Sequence, residues 1–195
     1  MLDPAIGDIE LARRQIESAA LAGDEQQRLR ERALAFCRDQ PESLHRSCSP
    51  GHLTGSGVVV DRSRDRTLLI HHNKLDRWLQ PGGHADGDGN LAAVAWREAT
   101  EETGLRDLAL VTPAIDLDIH VIPARPGEPE HLHVDLRFVL LAGAGQIPSP
   151  NGETRGARWL SSDDPAVTAS AELHRAVVRA VEVARSFPQA GVTGR

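Results

Sequence analysis

The chain has no tyrosine, three phenylalanines and three tryptophans. Aromatic stacking on a nucleobase therefore has few candidates. Cysteine is scarce too. Cys37 and Cys48 are the only two; a pair makes neither a disulfide framework nor a zinc ligand set, so both are expected to be reduced structural thiols. No apolar run approaches the ~20 residues of a membrane-spanning helix. The opening MLDPAIGDIE lacks a basic region followed by an apolar run, so no secretory signal is expected. A cytoplasmic protein without a membrane partner is the default, and no internal repeat is visible. Basic charge is also short. The formal net charge of −6 excludes a general binder of nucleic-acid polymers, which needs a basic surface. It does not exclude a nucleotide substrate whose phosphates a bound metal neutralises. What remains, 195 residues that are 40% hydrophobic and 26% charged, suits a globular protein of one ordinary domain with an extension, or two small ones.

The most informative stretch is Pro81 to Leu105, PGGHADGDGNLAAVAWREATEETGL. Its first half is a turn rich in glycine, which lets a ligand approach the main chain closely. Asp88 or Asn90 is placed to cap a helix over Leu91 to Thr103, with Gly104 as its stop. At 100° per residue, Glu98, Glu101 and Glu102 fall within roughly one third of that helix's circumference. Ala92, Trp96, Ala99 and Thr103 form a neighbouring packing stripe. An acidic helical face is ordinarily a solvated one. Here it adjoins exposed main-chain carbonyls, and oxygen donors of that kind suit a hard divalent cation such as Mg²⁺.

Gly83, Arg97, Glu98, Glu101, Glu102, Gly104 and Leu105 resemble the box of the Nudix hydrolases, G-x5-E-x7-R-E-U-x-E-E-x-G-U. Gly89 and Ala99 depart from it, standing where the family has its first glutamate and a bulky aliphatic residue. Trp78 to Gly83 resembles the strand that enters the box. The resemblance implies an α/β fold, a Nudix-like α/β/α sandwich with a mixed sheet. It also implies metal-dependent hydrolysis of a nucleoside diphosphate linked to some group X, or of a nucleoside triphosphate. Mg²⁺ or Mn²⁺ would be held by Glu98, Glu101 and Glu102 with the Gly82 or Gly83 carbonyl, and Arg97 would orient the glutamates. Glu153 lies where the family often has a further carboxylate, either ligand or general base. Asp86 and Asp88 are the acids nearest the vacant position at Gly89. Asp88 either caps the helix or supplies the missing charge to Arg97, and the second reading is adopted.

Elsewhere, residues 1–48 read as an N-terminal helical extension, a hairpin with Asp24 capping its second helix. That hairpin packs on the main domain, mediates a homodimer contact or covers the substrate. Residues 49–187 read as the hydrolase domain and 188–195 as a flexible tail. Gly57 to Asp61 and Thr67 to His71 form a hairpin. His71, Lys74 and Arg77 lead into the glycine turn, where they either meet substrate phosphate or form a solvated loop. Ile115 to Ile122 and Leu132 to Leu140 alternate with period two, the mark of strands. Their pairing puts His120, His133, Asp135 and Arg137 on a shared polar face, expected to contact substrate rather than zinc. Ala157 to Ser161 is a short strand, Asp164-Pro165 starts a helix, and Leu173, Ala176, Val177, Ala180, Ala184 and Phe187 mark a terminal amphipathic helix. Two rivals share the implied fold. A non-catalytic nucleotide-binding module usually lacks the metal-binding glutamates, which this chain keeps. An isoprenoid diphosphate isomerase uses a catalytic cysteine, whereas Cys37 and Cys48 both precede the first strand.

Overall fold

The structure is a computed structural model, and it describes residues 8–73, 76–149, 152 and 154–187. Among the described residues, seven strands form one mixed sheet: β1 Gly51–Val60, β2 Arg66–His72, β3 Arg77–Leu79, β4 Gly82–His84, β5 Leu108–Ile122, β6 His131–Ala142 and β7 Thr154–Ser161. The path runs β3-β2-β1-β6-β5, with β4 pairing β1 and β7 pairing β2. β1 and β6 are parallel, so Gly51 opposes Leu132 and Val60 opposes Leu141. The other pairings are antiparallel.

Side chains alternate across β1. Leu53 packs with α1 Ile9–Ser18, α2 Asp24–Asp39 and α3 Leu91–Thr103. Val58 and Val60 pack on the opposite face with α4 Pro165–Thr168 and α5 Ala171–Ser186. The result is the expected α/β/α sandwich. α3 lies close on β1 because Gly55 has no side chain there; a Cβ at that position would run into the Leu91 carbonyl oxygen. The expected stripe on α5 is buried at Leu173, Ala176, Val177, Ala180 and Ala184, while Phe187, just past the helix, is exposed. Ser170 caps α5 by accepting from the Leu173 N–H, and Asp164 caps α4 by accepting from the Ala166 N–H.

Several expected boundaries move. β1 begins at Gly51 rather than Gly57, and β5 begins at Leu108, with a register shift between Val111 and Asp116. Asp24 does not cap α2. The cap residue is Gly23, which makes no side-chain cap bond, and Asp24 sits in the first turn, where a negative charge still suits the helix dipole.

The N-terminal helices share the core of the α3 side. Ala12, Ile16, Ala33 and Cys37 are buried against Leu53, Leu91, Leu117 and Leu136. Gln26, 3% exposed, acts as a partner strand would: its Oε1 accepts from the Leu117 N–H and its Nε2 donates to the Leu117 carbonyl, both at 2.9 Å. From α1, Gln15 donates to the Asn90 side chain at 2.8 Å and accepts from the Ala92 N–H at 3.3 Å. Gln26→Ala leaves two buried backbone groups unpaired and is expected to cost about 2 kcal/mol. Urea unfolding measures this; a loss under about 0.5 kcal/mol, the range of ordinary surface changes, would contradict it.

Candidate active site

β4 and the turn after it lead from Gly82 to the start of α3. Asn90 caps the helix, its side-chain oxygen accepting from the Ala93 N–H at 3.2 Å. The helix ends at Gly104, which is left-handed at φ 70°. Of the expected packing stripe, Ala92, Ala99 and Thr103 are buried. Trp96 is 37% exposed, and its indole N–H donates to the Leu108 carbonyl.

The sheet's alternation sorts the glycine turn. At Gly83 a Cβ would collide with the Glu98 carboxylate, and at Gly82 one would collide with Ser56 on the other face. Glycine at 83 therefore lets a partly buried carboxylate lie directly on the main chain. The Gly82 N–H donates to Glu102 Oε2 at 3.0 Å, and Glu102 is 6% exposed. Glu101, on the same helix, is exposed. Burial pushes the Glu98 carboxyl above its ordinary pKa, with Glu101 and Asp86 adding to the shift and Arg97 opposing it.

Arg97 places two donors on one oxygen, Nη2 at 3.0 Å and Nε at 3.3 Å from Glu98 Oε1. Its Nη2 also reaches the His84 carbonyl at 3.4 Å. Asp88, 8% exposed, uses Oδ1 to accept from the Asn90 N–H at 2.8 Å and holds Oδ2 3.8 Å from Arg97 Nη1. Asp86 forms a two-pronged pair with Arg46, both contacts at 2.6 Å, which holds its carboxyl below the usual range. Gly82, Gly83, Arg97, Glu98 and Glu102 thus converge on one corner.

Two further candidates sit on β2 and β3. His71 on β2 has its Nε2 3.5 Å from Asp76 and its ring 5.0 Å from that of Trp78. Arg77 is exposed at the start of β3. Lys74 and Glu153 lie outside the described residues.

The polar face of β5 and β6 is largely buried, which corrects the expectation of a substrate-facing surface for Asp135 and Arg137. Arg137, 4% exposed, donates to Asp135 at 2.9 Å, Asp116 at 3.1 Å and Asp118 at 2.9 Å. Asp135 also accepts from Thr54 and Ser56. Burial would raise the Asp118 carboxyl, but the hydrogen bond from His120 and the charge of Arg137 outweigh it and bring it to about 2. His133 falls among other histidines. Its Nε2 lies 3.1 Å from that of His52, 3.3 Å from that of His84 and 3.3 Å from that of His131. His52, His84 and His131 were not singled out in the sequence. The available signal was the spacing His131-x-His133, which puts both on one face of a strand.

A glycine turn that seats glutamates of an acidic helix, with an arginine between them, thus lies within an α/β/α sandwich. The family model for the NUDIX domain matches residues 51–181. The chain belongs to that family, and in class it is a Nudix-type pyrophosphohydrolase. Solved structures agree at the level of fold. A C. elegans Ap4A hydrolase in a binary complex is 15% identical, covers 69% of this chain and 98% of its own, and superposes with a TM-score of 0.57. The E. coli dihydroneopterin triphosphate pyrophosphohydrolase is 18% identical over 67% of this chain and 95% of its own, with a TM-score of 0.52. RenU, a Nudix hydrolase from M. smegmatis, is 19% identical over 74% and 90%, with a TM-score of 0.50. Among the described residues, no helix is long and apolar enough to cross a membrane.

Proposed function

We propose that the chain hydrolyses a phosphoanhydride bond in a small nucleotide, either a nucleoside diphosphate linked to a further group or a nucleoside triphosphate. The reading places this chemistry in the cytoplasm and gives it to residues 49–187, with 1–48 as a packed extension and 188–195 as a tail. The observation that carries it is the seating of the α3 carboxylates on the glycine turn: Glu98 against Gly83, and Glu102 on the Gly82 N–H. The donor set suits a hard divalent cation, since Glu98, Glu101 and Glu102 are three carboxylates on one helix and Glu98 is partly buried beside a second acid. Mg²⁺ or Mn²⁺ fits these oxygens better than a softer ion. When bound, such an ion neutralises phosphate charge and favours ionisation of an attacking water.

The chain's own groups do the positioning. Arg97 bridges Glu98, the His84 carbonyl and Asp88, and so fixes the acidic face relative to β4. The Gly82 N–H orients the Glu102 carboxylate. His71, Lys74, Arg77 and Gly83 are proposed substrate contacts, and Glu153 is a proposed ligand or base. The products are a nucleoside monophosphate and phospho-X, or a monophosphate and pyrophosphate. A panel of nucleotide sugars, ADP-ribose, CDP-alcohols and modified nucleoside triphosphates, assayed for released monophosphate with Mg²⁺, tests the reading. Release from at least one class is expected; no release from any would overturn it.

Asp88 supplies the charge missing at Gly89. Asn90 already caps α3, while Asp88 faces Arg97. Asp88→Asn keeps an acceptor for the Asn90 N–H but loses the charge. It is expected to lower kcat by about tenfold, equivalent to ~1.4 kcal/mol, with an unchanged melting temperature. Wild-type turnover at saturating Mg²⁺ would show that the charge is not needed.

A further inference from the structure

On the sheet face away from α3, four histidines from three strands point at one spot. Alternation along β6 puts His131 and His133 on the same side. Parallel register sets His52 of β1 directly beside His133. Antiparallel pairing of β4 with β1 sets His84 opposite Thr54, two residues from His52. The ligand nitrogens of His52, His131 and His133 all lie within 4.8 Å of one another, and His84 Nε2 is 3.3 Å from His133 Nε2. His52 and His131 are 3% and 6% exposed.

Hydrogen bonding does not account for this arrangement. An imidazole Nε2 is either one donor or one acceptor. His133 Nε2 meets three ring nitrogens at 3.1 to 3.3 Å, so at most one of the three contacts is a hydrogen bond. The others set lone pair against lone pair, or proton against proton. Protonation is no remedy, because each added charge would be desolvated beside the others. Neutral imidazole is the form that binds metal. The His131 Nδ1 lies 2.8 Å from the Pro129 carbonyl. That contact places the proton on Nδ1 and turns the Nε2 lone pair inward, as outer partners of metal-bound histidines do.

A single cation among His52, His131 and His133 would satisfy their lone pairs at once, with His84 beside it at His133. Nitrogens bound to Zn²⁺ at about 2.0–2.1 Å in a tetrahedron lie roughly 3.3 Å apart, which matches the contacts to His133. We propose that His52, His84, His131 and His133 form a zinc site, separate from the acidic face of α3, that ties β1, β4 and β6 together. Four imidazoles and no carboxylate select a borderline ion over Mg²⁺, and four protein ligands make a closed, structural site. Glu128, with Oε1 3.7 Å from His131 Nε2, stands at its rim. Because His84 follows Gly82 and Gly83 on β4 and its carbonyl receives Arg97, the tie also steadies the glycine turn.

The test uses Co²⁺ as a spectroscopic probe on the full chain after chelator treatment and exchange into metal-free buffer. Wild type is expected to develop the intense visible absorption of tetrahedral Co²⁺, saturating at about one equivalent and bleached by Zn²⁺. The E98Q/E101Q/E102Q triple variant should behave identically. His133→Gln and His131→Gln, each checked for fold by circular dichroism, should weaken binding by more than the roughly 100-fold that loss of an outer-shell partner costs. Three results would each overturn the proposal: no tetrahedral band in wild type, loss of the band in the triple variant, or wild-type affinity in a folded histidine variant. The first two are read on proteins whose histidines are intact, so the proposal stays testable if the histidine variants do not fold.

Discussion

Glu102→Gln and Glu101→Gln are each expected to reduce kcat for phosphoanhydride hydrolysis by roughly 10²- to 10⁴-fold, the equivalent of about 3–5 kcal/mol of transition-state stabilisation. The expectation rests on charge rather than shape. Glutamine keeps the volume of glutamate and a side-chain oxygen, so the Gly82 N–H that donates to Glu102 retains an acceptor. The melting temperature should therefore stay near that of wild type while turnover collapses. Glu101 is exposed, and its replacement should leave packing untouched. Steady-state kinetics at saturating Mg²⁺ on a substrate found by the panel provides the check. Wild-type kcat in both variants would remove the glutamates from the mechanism.

The largest effect on stability is expected at Arg137. Its guanidinium is enclosed and bonded to Asp135, Asp116 and Asp118. Arg175 also donates to Asp116, at 2.7 Å. Removing the central cation leaves buried carboxylates uncompensated, and breaking a buried pair of this kind costs about 3–5 kcal/mol. Arg137→Met, which fills similar volume without charge, is expected to lose that amount in urea unfolding at neutral pH. A loss below about 1 kcal/mol would mean that the network contributes no more than a surface pair. Asp118 responds to pH in a definite direction. Asp118, brought down to about 2, lies below its ordinary value near 3.9. Its contribution is complete above that ordinary value and fades as pH falls toward 2.

How much of this was legible in the chain differs from element to element. The acidic helix and its glycine turn were readable because both are local: the spacing of Glu98, Glu101 and Glu102 and the stop at Gly104 need only helical geometry. β6 announced itself by alternation. The first half of β1 did not, because His52, Thr54 and Ser56 carry polar groups on a face that is nonetheless buried. A polar residue in a strand usually marks solvent, and here its partners Asp135 and His133 come from a strand some eighty residues away. The histidine cluster was hidden for the same reason. His133 was visible as a polar strand residue, but its convergence with His52 and His84 depends on long-range register that no local pattern encodes. Asp88 was half legible. Its position near the vacant box glutamate was plain, whereas the assignment of the cap to Asn90 required the turn's geometry.

The central claim, that a divalent ion held by the α3 glutamates supports phosphoanhydride hydrolysis, is tested most directly by the initial rate of monophosphate release as a function of free Mg²⁺. Wild type and the E98Q/E101Q/E102Q variant should be compared side by side on one substrate. The account predicts a saturable rise for wild type and a flat line at background for the variant. Equal rises in both proteins, or none in either, would contradict it.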